Sequence, residues 1–132
     1  MASGRRDYTL GYLNETATGA RKTTSFSYNS GDTCPAGNVK TILSYKVPTG
    51  YRLGINRIHV STSSQSDNYF YVTVGPSTIA SQYFSQNIEL TYSDQNPYYV
   101  SAGWYVQVVV YNSDDIDASF VSTLIGVLEN IS

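Results

Sequence analysis

The side chains with the widest chemical range in this chain are its single histidine, His59, and its single cysteine, Cys34. Ser-His-Asp catalysis needs an imidazole base beside a nucleophile and an orienting acid. His59 sits between Ile58 and Val60 in a stretch that reads as a strand, and the chain has no G-x-S-x-G elbow. It therefore reads as a surface or interface histidine. One His and one Cys fall short of the ligand set of an ordinary zinc site. Asn112, Asp114, Asp115 and Asp117 form an oxygen-rich loop of the kind calcium favours, but the spacing is not that of an EF-hand and the loop has no glycine. A solvated turn is the expectation there. Glu89 and Glu129 could serve as paired carboxylates for glycoside hydrolysis only if the fold joined them, and nothing in their spacing says so. No glycine-rich phosphate loop opens a helix. The chain is expected to have no catalytic residue, cofactor or metal, and not to be an enzyme.

Charge is unevenly spread. All eight Lys and Arg lie at or before Arg57, opposed there only by Asp7, Glu15 and Asp32, so residues 1–57 carry +5 and the remainder −7. An antiparallel fold can mix the two halves in space. The other reading is a basic N-terminal arm docked on an acidic surface, its own or a neighbour's. Arg5, Arg6, Arg21 and Lys22, with Tyr8 and Tyr12 interleaved, are the candidate arm contacts. Such a pattern also suits single-stranded nucleic acid, but the acidic remainder argues against that as the main role. The lone cysteine excludes an intramolecular disulfide. Met1-Ala2-Ser3-Gly4 begins no apolar run, so no secretory signal is expected. The glycosylation patterns Asn14-Glu15-Thr16 and Asn130-Ile131-Ser132 are then read as chance. No stretch approaches the roughly eighteen apolar residues of a membrane-spanning helix, so no membrane partner is expected.

The elements behind these residues read as strands throughout. The chain has 132 residues, enough for one domain with its own core. Thirteen tyrosines and abundant Val, Ile and Thr fit pleated, half-buried surfaces. Strands are expected at Val39–Val47, Tyr51–Ser61, Tyr69–Val74, Gln82–Phe84, Ile88–Tyr92, Trp104–Asn112 and Ala118–Leu128. In the second of these, Tyr51, Leu53 and Ile55 share a face, then Ile58 and Val60 resume out of phase. A bulge at Asn56-Arg57 would explain the slip. Residues 1–38 are Gly-, Ser- and Thr-rich, with short alternations at Tyr8–Tyr12 and Ser25–Tyr28. They read as an extended N-terminal arm contributing edge strands or intersubunit contacts, and residues 39–132 as the main body. Turn signals every eight to twelve residues, with no helical pattern between, point to an all-β, two-sheet antiparallel β-sandwich.

Two segments echo each other. Tyr45-Lys46-Val47-Pro48-Thr49-Gly50-Tyr51 through Ile55 aligns without gaps on Tyr98-Tyr99-Val100-Ser101-Ala102-Gly103-Trp104 through Val108, 53 residues later. Each is a strand end, a tight Gly turn and a long strand opened by an aromatic. A jelly roll holds two interleaved Greek keys, which makes one such unit per half natural; chance similarity of two hairpins is the other reading. These paired Val-x-x-Gly-aromatic units, the Asn112–Asp117 loop and a closing strand ending Gly126-Val127-Leu128-Glu129 resemble small single jelly-roll virion proteins. Capsid decoration or cement proteins and minor capsid proteins of tailed phages and related viruses are meant. The resemblance covers residues 39–128 and its motifs are structural. It implies a jelly-roll type of sandwich, a virion location after synthesis in the host cytoplasm, a homotrimer, a major capsid protein or other virion proteins as partners, and an arm reaching neighbours.

The strands add a reason to expect assembly. Val106, Val108 and Val110 alternate with Tyr105, Gln107, Val109 and Tyr111, and Phe120, Leu124 and Leu128 with Val121, Ile125 and Val127. Two apolar faces need two covers: the opposite sheet, and either the arm or a neighbouring subunit. Tyr105, Val109, Tyr111, Val121 and Ile125 are therefore the candidate partner-binding sheet face. The alternative is a carbohydrate- or receptor-binding module of a viral fibre or spike, with Tyr69 or Trp104 stacking on a glycan. Against that, Trp104 reads as a core residue.

Overall fold

A computed structural model describes residues 22–131. Among them the chain forms nine strands and no helix: β1 (Thr23–Cys34), β2 (Val39–Lys46), β3 (Tyr51–Thr62), β4 (Asp67–Val74), β5 (Ser77–Ser85), β6 (Asn87–Thr91), β7 (Tyr98–Val100), β8 (Tyr105–Tyr111) and β9 (Ala118–Asn130). One sheet runs β1-β9-β3-β6, with β7 also on β3; the other runs β2-β8-β4-β5. Every pairing is antiparallel. The chain crosses between sheets at each connection except β4–β5 and β6–β7, which is the two-sheet jelly roll.

The first strand comes from the segment read as an arm. All of β1 pairs with β9, from Thr23 opposite Glu129 to Cys34 opposite Ala118. The sandwich among the described residues thus starts at Thr23, and the β1–β2 turn near residue 38 lies inside it. Arg5, Arg6, Tyr8, Tyr12 and Arg21 lie outside the described residues.

Period-two alternation builds the core. Val106, Val108 and Val110 of β8 are fully buried against Phe120 and Leu124 of β9, Phe70 and Val72 of β4, and Leu53, Ile55, Ile58 and Val60 of β3. Each such side chain contributes about 1.5–3 kcal/mol through the water it sheds. The β3–β9 register shifts between Ile55 and Arg57, so Asn56 is a bulge. Without that extra residue Ile58 and Val60 would point to solvent, because a one-residue slip turns every later side chain over. Phe70, Phe84 and Phe120 meet edge-on at 5.6 and 6.4 Å. Between β1 and β2 the sandwich is closed by Tyr45, whose ring lies 4.6 Å from Phe26 and 5.4 Å from Tyr28. Burial pushes the Tyr45 phenol above its ordinary pKa.

The echoed units are the same turn. Tyr51 N–H donates to Pro48 O and Trp104 N–H to Ser101 O, and the third residues, Gly50 and Gly103, have φ of 85° and 84°. That is the type II pattern, which demands glycine there. The units also meet in space: Val47 N–H donates to Trp104 O, and Gly103 N–H to Val47 O.

Candidate interaction surface

The face of the four-stranded sheet that points away from the core carries the densest tyrosine surface described. The registers set Val39, Tyr111, Tyr69 and Tyr83 side by side in one row across β2, β8, β4 and β5. Tyr83 is 69% exposed, Val39 59% and Tyr111 39%. The Tyr69 and Tyr83 rings meet edge-on at 4.9 Å. The next row is Thr41, Val109, Tyr71 and Ser81, in which Val109 is shielded by its neighbours although it lies outside the core cluster. Among the described residues, these registers set charged side chains only at the two ends of this face: Lys46 opposite Tyr105 and Asp67 opposite Ser85. Tyrosine brings apolar area and a hydroxyl at little rotamer cost, and depletion of charge with enrichment of aromatics marks the centre of protein interfaces.

The candidate sheet-face residues do not form one surface. Tyr105, Val109 and Tyr111 belong to the tyrosine face. Val121 and Ile125 lie on β9 and point out of the opposite sheet, because β8 and β9 belong to different sheets. That second face is charged. Arg57 Nε lies 3.3 Å from Glu89, Arg52 Nε donates to Glu129 at 2.9 Å, and His59 is paired in register with Glu89. Arg52 also lies over the Tyr99 ring, 3.9 Å from its centroid. Both ion pairs join the basic half of the chain to the acidic half, as antiparallel mixing anticipates. Of the arm residues, Lys22 is described: it is exposed, and its carbonyl accepts the Asn130 N–H.

The acidic loop is a structural cap. Asn112 is fully buried, and its Nδ2 donates to Cys34 O and Ile116 O, while its Oδ1 accepts from Asp114 N–H. Asp114 accepts from the Ser64 hydroxyl and Asp117 from Ala36 N–H. The Ser64 bond is the main cause holding the Asp114 carboxyl below its usual range. Among the described residues no three His, Cys, Asp or Glu side chains gather as a metal would require. Beside this cap, the Cys34 thiol is fully buried and donates to Asn38 O at 3.2 Å; burial raises its pKa. A buried, protonated thiol is a poor nucleophile. The folded chain should therefore resist an aromatic disulfide reagent and release a full equivalent only in denaturant. Rapid labelling under native conditions would show that β1 frays from β9.

Trp104 corrects the expectation of a core residue. It is 45% exposed at the end of the tyrosine-bearing sheet, where the β4–β5 turn meets the turn before β8. A shallow depression of about 450 Å³ there is lined by Gly75, Pro76, Gly103, Trp104, Tyr105 and Gln107. The pairing of β8 ends at Tyr105 with β2 and at Val106 with β4, so the strand's alternation does not carry Trp104 inward.

No family model matches the chain, and no curated protein does. Among solved structures it is similar to one described as the crystal structure of PirA, at 14% identity and a TM-score of 0.49, covering 77% of this chain and 94% of that one. It is also similar to a chain of the acid-stable capsid of Helicobacter pylori bacteriophage KHP30, at 12% identity and a TM-score of 0.49, covering 83% and 97%. Likeness at that level assigns neither role to this chain.

Proposed function

We propose that this chain is a non-enzymatic virion structural protein, a capsid decoration or minor capsid subunit that binds the shell and neighbouring copies. The observation that carries the reading is the tyrosine face with charge only at its ends. A rigid sheet in a jelly roll, presenting Val39, Tyr111, Tyr69 and Tyr83 in one row, is built to be covered by another protein. Subunits associate as a trimer through this face, with the basic segment before β1 adding contacts to neighbours. Val121 and Ile125 have no part in it, since their face is that of a solvated surface.

Sedimentation of the full chain beside a Tyr69→Ser/Tyr83→Ser/Tyr111→Ser variant tests this. The parent should sediment as an oligomer and decorate shells of its own virus in electron micrographs. The variant should stay folded by circular dichroism but run as a monomer and leave the shells bare. A parent chain that is monomeric and absent from purified particles would overturn the reading.

A further inference from the structure

The Trp104 depression has features that the tyrosine face lacks. Its indole is held in place from below: the ring lies on Gly75, where an added Cβ would come 2.7 Å from Cζ3 and 3.0 Å from Cδ2. The backbone around it is tied on both sides, with Trp104 O accepting from Val47 N–H and Tyr105 O accepting from Gly75 N–H. One face of the ring is thus packed on a glycine while the residue stays half exposed. A half-exposed tryptophan held this firmly does not serve the core.

Among the described residues the lining has polar side chains and no carboxylate. Gln107 lines the depression and its Nε2 donates to Ser44 Oγ at 3.2 Å. Tyr105, 47% exposed, adds a phenol, and the Lys46 ammonium stands 5.9 Å from its ring centroid. The volume falls in the range of small-molecule sites, about 300–1,000 Å³. A purely apolar ligand would bury the Tyr105 phenol and the part of the Gln107 amide that Ser44 does not meet, which is costly. A sugar ring suits both parts: its C–H face lies flat on an aromatic ring, and its hydroxyls reach donors and acceptors at the edge.

We propose that this depression binds a pyranose ring of a glycan, stacked on Trp104 with its hydroxyls met by Gln107 and Tyr105. The site shares the outward side of β8 with the Val39–Tyr83 row but lies at its other end, four residues from Tyr111 at Gln107 and beyond. Substitutions in the row test assembly and substitutions at Trp104 test the glycan site, so the two readings fail separately. Trp104 is the only tryptophan in the chain, so its emission reports on this place alone. The test is a printed glycan array probed with the full chain, followed by titration of the best-bound glycan against tryptophan emission. A saturable emission change is expected. Trp104→Ala should weaken array binding at least about tenfold, the size of a single strong contact. Gln107→Ala should weaken it less, and Tyr111→Ser should leave it unchanged. Trp104→Phe guards against loss of fold: it should melt near the parent and keep part of the binding. An array without bound spots, or binding that survives Trp104→Ala, overturns the proposal.

Discussion

Asn112→Ala should lower stability by about 3 kcal/mol, a large cost for one polar side chain. The reason is the number of backbone groups that depend on it. Its amide satisfies Cys34 O at the end of β1 and Ile116 O in the β8–β9 loop, both at 2.9 Å, and its Oδ1 satisfies Asp114 N–H at 2.9 Å. Its own N–H donates to Asn38 O and its carbonyl accepts from Gly37 N–H, so the β1–β2 turn hangs on the same residue. Alanine keeps those two backbone bonds and loses the three side-chain ones. A buried polar group left unpaired costs about 1–3 kcal/mol, and Ile116, being exposed, can pass its carbonyl to water. For a domain of this size about 3 kcal/mol is roughly a 10 °C fall in melting midpoint. Thermal and urea melts followed by circular dichroism would measure it. A fall of less than about 1 kcal/mol would mean the loop is ordered without its hub.

That hub shows where reading from sequence stops. Asn112 stood in a run of acids, and an acid-rich loop after a strand reads as solvated, because nothing local says which backbone groups are short of partners. Cys34 and Ala36 lie far away in the chain, and the pairings of β1 with β9 and of β2 with β8 bring them near. The strands with one face in the core were legible, since Val106, Val108 and Val110 or Phe120 and Leu124 print their burial as period two. The Asn56 bulge was legible for the same reason: the phase of the apolar residues slips there.

Edge strands were the weak point. Ser77–Ser85 carries little apolar signal because almost all of it is exposed, so only Gln82–Phe84 stood out. β1 likewise buries little beyond Cys34 and part of Phe26, and its polar outer face reads as part of an extended arm with only a short strand at Ser25–Tyr28. The candidate face was half legible. Alternation within β8 and within β9 marked two apolar sets correctly, but alternation cannot say that the strands lie in different sheets. Only topology parts Tyr105, Val109 and Tyr111 from Val121 and Ile125. The tyrosine row was out of reach altogether, since it depends on the registers of four strands at once.

Gly126→Ala should cost more than any other glycine substitution in the sandwich, at least about 3 kcal/mol. Gly126 lies in β9, opposite Ile55 of β3, at the point where the Asn56 bulge presses the two central strands together. A Cβ there would sit well inside contact distance of Gly54 O, 3.0 Å from Gly54 C and 3.2 Å from Ile55 Cα. All three are backbone atoms, so no rotamer change relieves the overlap. Relief requires β3 to move, and β3 also pairs with β6 and β7. Against a total of about 5–15 kcal/mol, the variant should melt far below the parent or fail to accumulate in soluble form. Gly103→Ala supplies the contrast. Its added Cβ meets nothing within 4 Å, but its φ of 84° makes alanine pay the left-handed penalty of about 1–2 kcal/mol. Backbone preference alone ranks Gly103 as the costlier site, since Gly126 is ordinary extended strand; packing reverses that order. Urea titration of both variants decides it, and a milder effect at Gly126 than at Gly103 would show that β3 and β9 have room to slide apart at the bulge.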